Sequence, residues 1–200
     1  MSAKIVTLLL ASKSAARRLM LEAAGVPFRL VESEADEERA KESLRGLGGE
    51  DLAMALATVK ALGAHGGEGD FVLGADQTLE LDDGTMLAKP TSRDEAIEHL
   101  KRLSGTSHKL HSAAVVAENA QPVWSGIETV ELSMRPLSDD FLSMYLDQEY
   151  QAIRWSVGGY RIEGLGAQLF DRIEGSHFAI LGLPLLPLLA FLRERGVLPS

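Results

Sequence analysis

Apolar and polar residues recur along the chain with two periods, and the switches between them mark its elements. IVTLLLAS, Ile5 to Ser12, is a β-branched and leucine run of strand length that reads as buried on both faces. SAARRLMLEAAG then reads as a helix, with Ser14 as N-cap and Gly25 as its stop. FRLVES is a second strand, and the charged ADEERAKESLRGLGGE is loop or weak helix broken by glycines. EDLAMALATVKALGAHGG is helical, with Leu52, Leu56, Val59 and Leu62 spaced for one buried face and Lys60 at the edge of that face.

FVLGAD reads as a short buried strand that ends at Asp76, and QTLELDDGTMLAKP as a hairpin turned at Asp83-Gly84. TSRDEAIEHLKRLSG is a helix capped by Ser92, with Glu95 as capping-box partner and Gly105 at its end. HKLHSAAVVAE and PVWSGIETVELSMR form an antiparallel meander, and SDDFLSMYLDQEY is a helix with acidic residues in its first turn. The glycine-dense VGGYRIEGLGAQLFDRIEGS predicts turns and close backbone contacts, and a last helix runs from about Pro184 to Arg195, ahead of Gly196. Repeats, low-complexity tracts and Pro/Ser linkers are absent from the sequence, so the pattern predicts one α/β domain over 1–200, built on a mixed sheet whose strand edges form a cleft.

Composition narrows the function. With 200 residues and 46% hydrophobic content the chain buries a sizeable core. A formal charge of -9 argues against a nucleic-acid polymer as partner, because such binding needs a basic face to displace counterions. The absence of cysteine excludes disulfides and thiolate metal sites. Histidines with tight ligand spacing are missing too, and His108 and His111 read as strand or loop residues rather than a zinc site. The N-terminal apolar run is too short to span a membrane and lacks a signal-peptide pattern, so the expectation is a cytoplasmic protein with no membrane partner.

Against this acidic background, two places stand out. Arg17 and Arg18 fall in the first turn of a helix, where the backbone is already positive and each cation costs a few tenths of a kcal/mol, roughly, unless an anion binds. Strand, small-residue turn, helix start and paired arginines describe a phosphate site; the other reading is a solvated helix with Arg18 paired to Glu22. Asp76 is the second place: a carboxylate at a strand end can orient a water or hold magnesium, or it is an ordinary turn aspartate. Glu37 in a charged run, Lys60 and Lys89 are unremarkable singly, and spacing alone does not bring these positions together.

Taken in order, the motifs resemble the Maf family: A-S-x-S-x-x-R-R, D-E, G-A-D before a hairpin ending in A-K-P, R-L-S-G with a following histidine, G-Y-x-I-E-G-x-G, I-E-G-S and G-L-P-L, from about Leu8 to Leu192. That family comprises nucleoside triphosphate pyrophosphatases, also described as septum-formation inhibitors. The resemblance implies an α/β fold like that of inosine triphosphate pyrophosphatases, a mixed central sheet with helices on both sides and two lobes around a cleft, and often a homodimer. It implies cleavage of the α–β phosphoanhydride of a nucleoside triphosphate with a divalent metal, Mg²⁺ or Mn²⁺. By resemblance, Asp76 is the catalytic aspartate, and Ser12, Arg17, Arg18, Glu37, Lys60 and Lys89 are the substrate-binding residues; the mechanism that fits them has the metal held among Glu37, Asp76 and the phosphate oxygens.

One branch of the family, resembling 7-methyl-GTP pyrophosphatases, has D-Q and x-E-G where the dTTP and UTP branch has D-T and I-Q-G. Gln77 and Glu163 place this chain nearer the first, and a carboxylate suits guanine because it accepts from N1–H and the exocyclic amine. The chain departs from that branch at Ala16, where the branch has a tryptophan; Trp155 and Tyr160 can supply a stacking ring, but the stronger reading of each is a partly buried core aromatic. The rival class is a non-catalytic nucleotide-binding regulator of cell division. A weaker rival is a dinucleotide-binding oxidoreductase read from Gly164-x-Gly166 or Gly158-Gly159, a poor signal because those glycines do not join a first strand to its helix.

Overall fold

A computed structural model describes residues 7–199, so Ile5 and Val6 of the first expected strand lie outside the described residues. The strands are β1 (Leu8–Ala11), β2 (Phe28–Leu30), β3 (Phe71–Leu81), β4 (Met86–Leu87), β5 (Ser107–Glu118), β6 (Gln121–Met134) and β7 (Phe170–Glu174). The helices are α1 (Ala15–Ala23), α2 (Glu37–Ser43), α3 (Gly49–Leu62), α4 (Arg93–Leu103), α5 (Asp139–Ile153), α6 (His177–Ile180) and α7 (Leu185–Glu194). One mixed sheet has the order β2-β1-β3-β5-β6-β7, with β4 added to β3. β1 runs parallel to β2 and β3, whereas β4 on β3 and β7 on β6 are antiparallel. No helix among the described residues is long and apolar enough to cross a membrane.

The chain divides into two compact units, the first holding residues up to Asp76, Ser112–Glu128 and the segment from Ser176 onward, the second Gln77–His111 and Thr129–Gly175. β3, β5 and β6 each pass from one unit into the other.

In the first unit, side-chain alternation along β1 explains the layering. Leu8 and Leu10 face Met20 and Leu21 of α1 and Leu188 and Phe191 of α7, while Leu9 and Ala11 face Ala53, Ala57 and Ala61 of α3. The sheet is therefore covered on both faces, which is why its strands read as continuous apolar runs. α3 buries this alanine face, with Leu56 and Lys60, and leaves Leu62 exposed, so the expected leucine stripe is not the buried one. Gly74 of β3 supplies the reason. A Cβ there would lie 2.3 Å from the Ala57 carbonyl oxygen and 2.4 Å from the Ala61 nitrogen, so the helix backbone rests directly on the strand and only small residues fit between them.

In the second unit, the β3–β4 hairpin turns at Asp82–Gly84 as expected, with Leu81 N–H donating to Thr85 O at 2.8 Å. Ser92 caps α4 through Glu95 N–H, but the Glu95 carboxylate accepts from Thr91 N–H and Oγ1 rather than from the cap residue. The β5–β6 connection lies in the first unit, where Asn119 and Ala120 are both left-handed (φ 51° and 57°), the backbone of a type I′ hairpin turn. His108, fully buried, meets Tyr160 Oη at 2.7 Å and packs its ring against Tyr160 and Phe170. His111 lies between Thr129 Oγ1 (2.8 Å) and Glu80 Oε2 (3.0 Å). β7, a short strand within the segment expected to hold turns and close backbone contacts, forms because Phe170 to Glu174 pair along β6 at the sheet edge.

Candidate active site

The first unit assembles two cations and two carboxylates. Ser14 caps α1 by accepting from Arg17 N–H at 3.4 Å, which puts Arg17 in the third helical position. Helical side chains lean toward the N-terminus, so this arginine reaches back over the helix start. Nη1 donates to Ser12 Oγ at 3.1 Å and to the Ala75 carbonyl at 2.9 Å, and Nε donates to the Gly182 carbonyl at 2.8 Å. The guanidinium is buried, and its Nη2 has no hydrogen-bond partner among the described residues. Burial pulls Arg17 below its ordinary value, while the nearby carboxylates of Asp76 and Glu37 pull it up. A guanidinium stays charged under any such shift, so the site carries a fixed cation.

Asp76 does not end its strand. β3 continues through it to Leu81, because the carboxylate has a partner that makes it tolerable inside the sheet. Asp76 shares a strand face with Gly74, and α3 sits on that face, so Lys60 arrives beside it. Lys60 Nζ donates to Asp76 Oδ1 at 2.6 Å and lies 3.2 Å from Glu37 Oε2. Lys60 and Asp76 side chains are nearly buried (11% and 14% exposed), whereas Glu37 is about half exposed. Asp36 caps α2 by accepting from Arg39 N–H at 3.0 Å, which makes Glu37 the first helical residue, a position where a carboxylate is favoured.

The structure thus brings together Ser12, Arg17, Glu37, Lys60 and Asp76. Arg18 does not join them: its side chain is about half exposed and lies 3.8 Å from Glu22, the solvated i,i+4 pair. Ala16, partly buried, occupies the second position of α1. Gln77 and Lys89 belong to the second unit, Gln77 partly buried on β3 and Lys89 exposed after β4. Glu163 is exposed in the same unit, two residues from Arg161, whose Nε donates to Glu149 at 2.7 Å. Tyr160 is buried against His108 and Phe170 and presents no free ring, while Trp155 is 68% exposed, with Arg154 5.0 Å from its ring.

Two residues that matter to this geometry carried no role in the sequence reading. Gly74 stands inside G-A-D and Gly182 inside G-L-P, and the signal in both was a glycine where neither a turn signature nor periodicity asked for one. Among the described residues no group of three or more histidine or acidic side chains gathers around one point.

Comparison with known proteins gives the family of the chain. The family model described as Maf-like protein matches residues 7–195. A protein of Sphingopyxis alaskensis named nucleoside triphosphate pyrophosphatase is 49% identical over 198 residues, covering 98% of this chain and 100% of that protein. One of the same name from Caulobacter vibrioides is 48% identical over 191 residues, 94% of this chain and 96% of that protein. Nucleoside triphosphate pyrophosphatase 1 of a Jannaschia species is 48% identical over 193 residues, 95% and 97% of the two chains. With the family's pattern running from the first described strand to the last helix, and relatives near half identity along their whole lengths, this chain belongs to the Maf family.

Proposed function

We propose that this chain is a nucleoside triphosphate pyrophosphatase, a hydrolase that splits the α–β phosphoanhydride of a nucleoside triphosphate into the monophosphate and pyrophosphate. The observation that carries the reading is the Lys60 ammonium seated between Asp76 and Glu37, beside a buried guanidinium with one nitrogen left open. The names and near-half identity of the relatives support it.

The donor set fits a divalent cation. Asp76 and Glu37 converge on a single positive charge, now that of Lys60, and magnesium is held by one or two carboxylates together with substrate phosphates rather than by an all-protein cage. Asp76 and Glu37 would hold Mg²⁺ or Mn²⁺, and the bound metal would draw charge from the phosphate oxygens as a Lewis acid.

The chain's own residues do the rest. Arg17 Nη2 donates to a phosphate oxygen from a guanidinium that is already fixed, so little reorganisation is needed when charge develops. Arg18 exchanges its loose contact with Glu22 for phosphate, and Ser12 holds Arg17 Nη1 at the edge of the same subsite. Lys60 balances the carboxylates and the incoming charge. The free oxygen of Asp76 orients a water and takes its proton; the water oxygen bonds to phosphorus, the bridging P–O bond breaks, and the bridging oxygen stays with the departing fragment. From the second unit, on family resemblance, the reading takes Lys89 for the phosphates and Gln77 and Glu163 for the base. A guanine base, 7-methylguanine above all, suits the acceptor oxygens of Glu163, and Trp155, exposed in the second unit, is the ring this reading takes for stacking on the base.

The test is a panel of nucleoside triphosphates, methylated bases included, assayed for pyrophosphate release with Mg²⁺ and with Mn²⁺. Release is expected, fastest with a 7-methylguanine base. Binding without release for every member would favour the non-catalytic regulator.

A further inference from the structure

We infer that Gly182 is a positioning residue for hydrolysis: it sets the Arg17 guanidinium, and through Arg17 the segment of β3 that carries Asp76. The inference rests on the pyrophosphatase reading for its kinetic consequence, but not for its geometry.

α6 ends in a complete left-handed cap. Gly182 N–H donates to Ala179 O at 3.0 Å and Leu183 N–H to Phe178 O at 3.1 Å, the paired bonds of a Schellman motif, and Gly182 takes φ +100°. Leu183, fully buried in the core beside Leu185 and Leu188, pins the turn in place. This fixes the direction of the Gly182 carbonyl, which accepts from Arg17 Nε at 2.8 Å across 165 residues of sequence. Glycine is required here twice. A side chain is strained at this φ, and its Cβ would stand 3.1 Å from Arg17 Nε and 3.3 Å from Nη2, against a guanidinium already tied to three acceptors.

The consequence passes along the guanidinium. Because the group is planar and rigid, holding Nε on Gly182 and Nη1 on Ser12 and Ala75 leaves Nη2 as the one nitrogen for an anion and fixes its direction. The Ala75 carbonyl it holds belongs to the peptide joining Ala75 to Asp76. A displaced guanidinium therefore disturbs both the phosphate donor and the carboxylate that handles the water. This gives G-L-P a function that packing alone does not: Leu183 anchors the turn, and Gly182 uses it.

The experiment compares Gly182→Ala, Arg17→Ala and the double variant, alongside the side-chain Nε–H signal of Arg17 in nucleotide-free wild-type protein. That proton is expected to exchange with solvent far more slowly than those of exposed arginines and to lose protection in Gly182→Ala. Gly182→Ala is expected to lower kcat/KM by about 10- to 100-fold, and the double variant to fall no further than Arg17→Ala, within about twofold. Penalties that multiply would mean that Gly182 acts independently of Arg17 and would overturn the inference, as would free exchange of the wild-type Nε–H. The wild-type exchange measurement needs neither the variant's folding nor any turnover, so free exchange overturns the geometry of the inference even where no triphosphate is hydrolysed, while the kinetic comparison tests its consequence.

Discussion

Gly74→Ala tests how helix seating governs the chemistry. The new Cβ would lie 2.3 Å from the Ala57 carbonyl oxygen and 2.4 Å from the Ala61 nitrogen, where ordinary contact begins at 3.4 Å. Both obstacles are main-chain atoms of α3, so no rotamer change relieves them, and the helix must retreat by roughly 1 Å. Overpacking of this kind costs about 1–3 kcal/mol, which in a chain of this length lowers Tm by about 3–10 °C. Lys60 rides on the retreating helix. Its 2.6 Å bond to Asp76 Oδ1 stretches to about 3.6 Å, beyond hydrogen-bond range. Displacements near 1 Å at a reacting centre cost on the order of 100-fold in rate. Thermal unfolding and pyrophosphate release at saturating substrate read the two effects separately. Wild-type Tm and rate would refute the packing argument, and a lowered Tm with a full rate would break the link from Gly74 through Lys60 to Asp76.

Other expectations follow from the same geometry. Asp76→Asn is expected to cut turnover by about 10²- to 10⁴-fold while calorimetric nucleotide affinity stays within a few-fold, and retained turnover removes Asp76 from proton handling. Chelation of divalent cations is expected to stop pyrophosphate release and Mg²⁺ or Mn²⁺ to restore it; full release in chelator would contradict the role given to Glu37. Burial pushes His108 down from 6.5 to about 4, so the unfolded chain takes up a proton between those values that the folded chain refuses, and stability falls as pH drops through that window. The loss reaches about 3 kcal/mol and is read from urea midpoints as the difference in pH dependence between wild type and His108→Leu across the window; equal pH dependence of the two would refute it. In a Trp124→Phe background, the fluorescence of Trp155 is expected to be quenched by a nucleoside triphosphate but not by inorganic triphosphate; equal responses would exclude stacking on the base.

What the sequence made legible, and what it did not, follows the reach of each interaction. The caps at Ser14 and Ser92, the hairpin turn at Asp83-Gly84 and the stop at Gly25 are local, and each stands where its residue type requires. Asp76 was visible as a candidate but misplaced at a strand end, because a carboxylate after a buried run looks like a terminus until its partner is known. That partner, Lys60, lies on a helix whose buried face is alanine rather than leucine, a choice imposed by Gly74 across the interface. Arg17 and Arg18 are the same residue type at adjacent positions, and no local pattern separates them. One turns inward because a carbonyl 165 residues away accepts its Nε–H, and the other pairs with Glu22 in solvent. In both cases the cation is held by the absence of a side chain: Gly74 lets Lys60 approach Asp76, and Gly182 lets Arg17 lie flat against its acceptors. Two cations facing two carboxylates are easy to list from composition, but placing them within hydrogen-bond reach depends on where the backbone can come close. The two glycines therefore decide how two of the chain's many charges, Lys60 and Arg17, come to stand at the site.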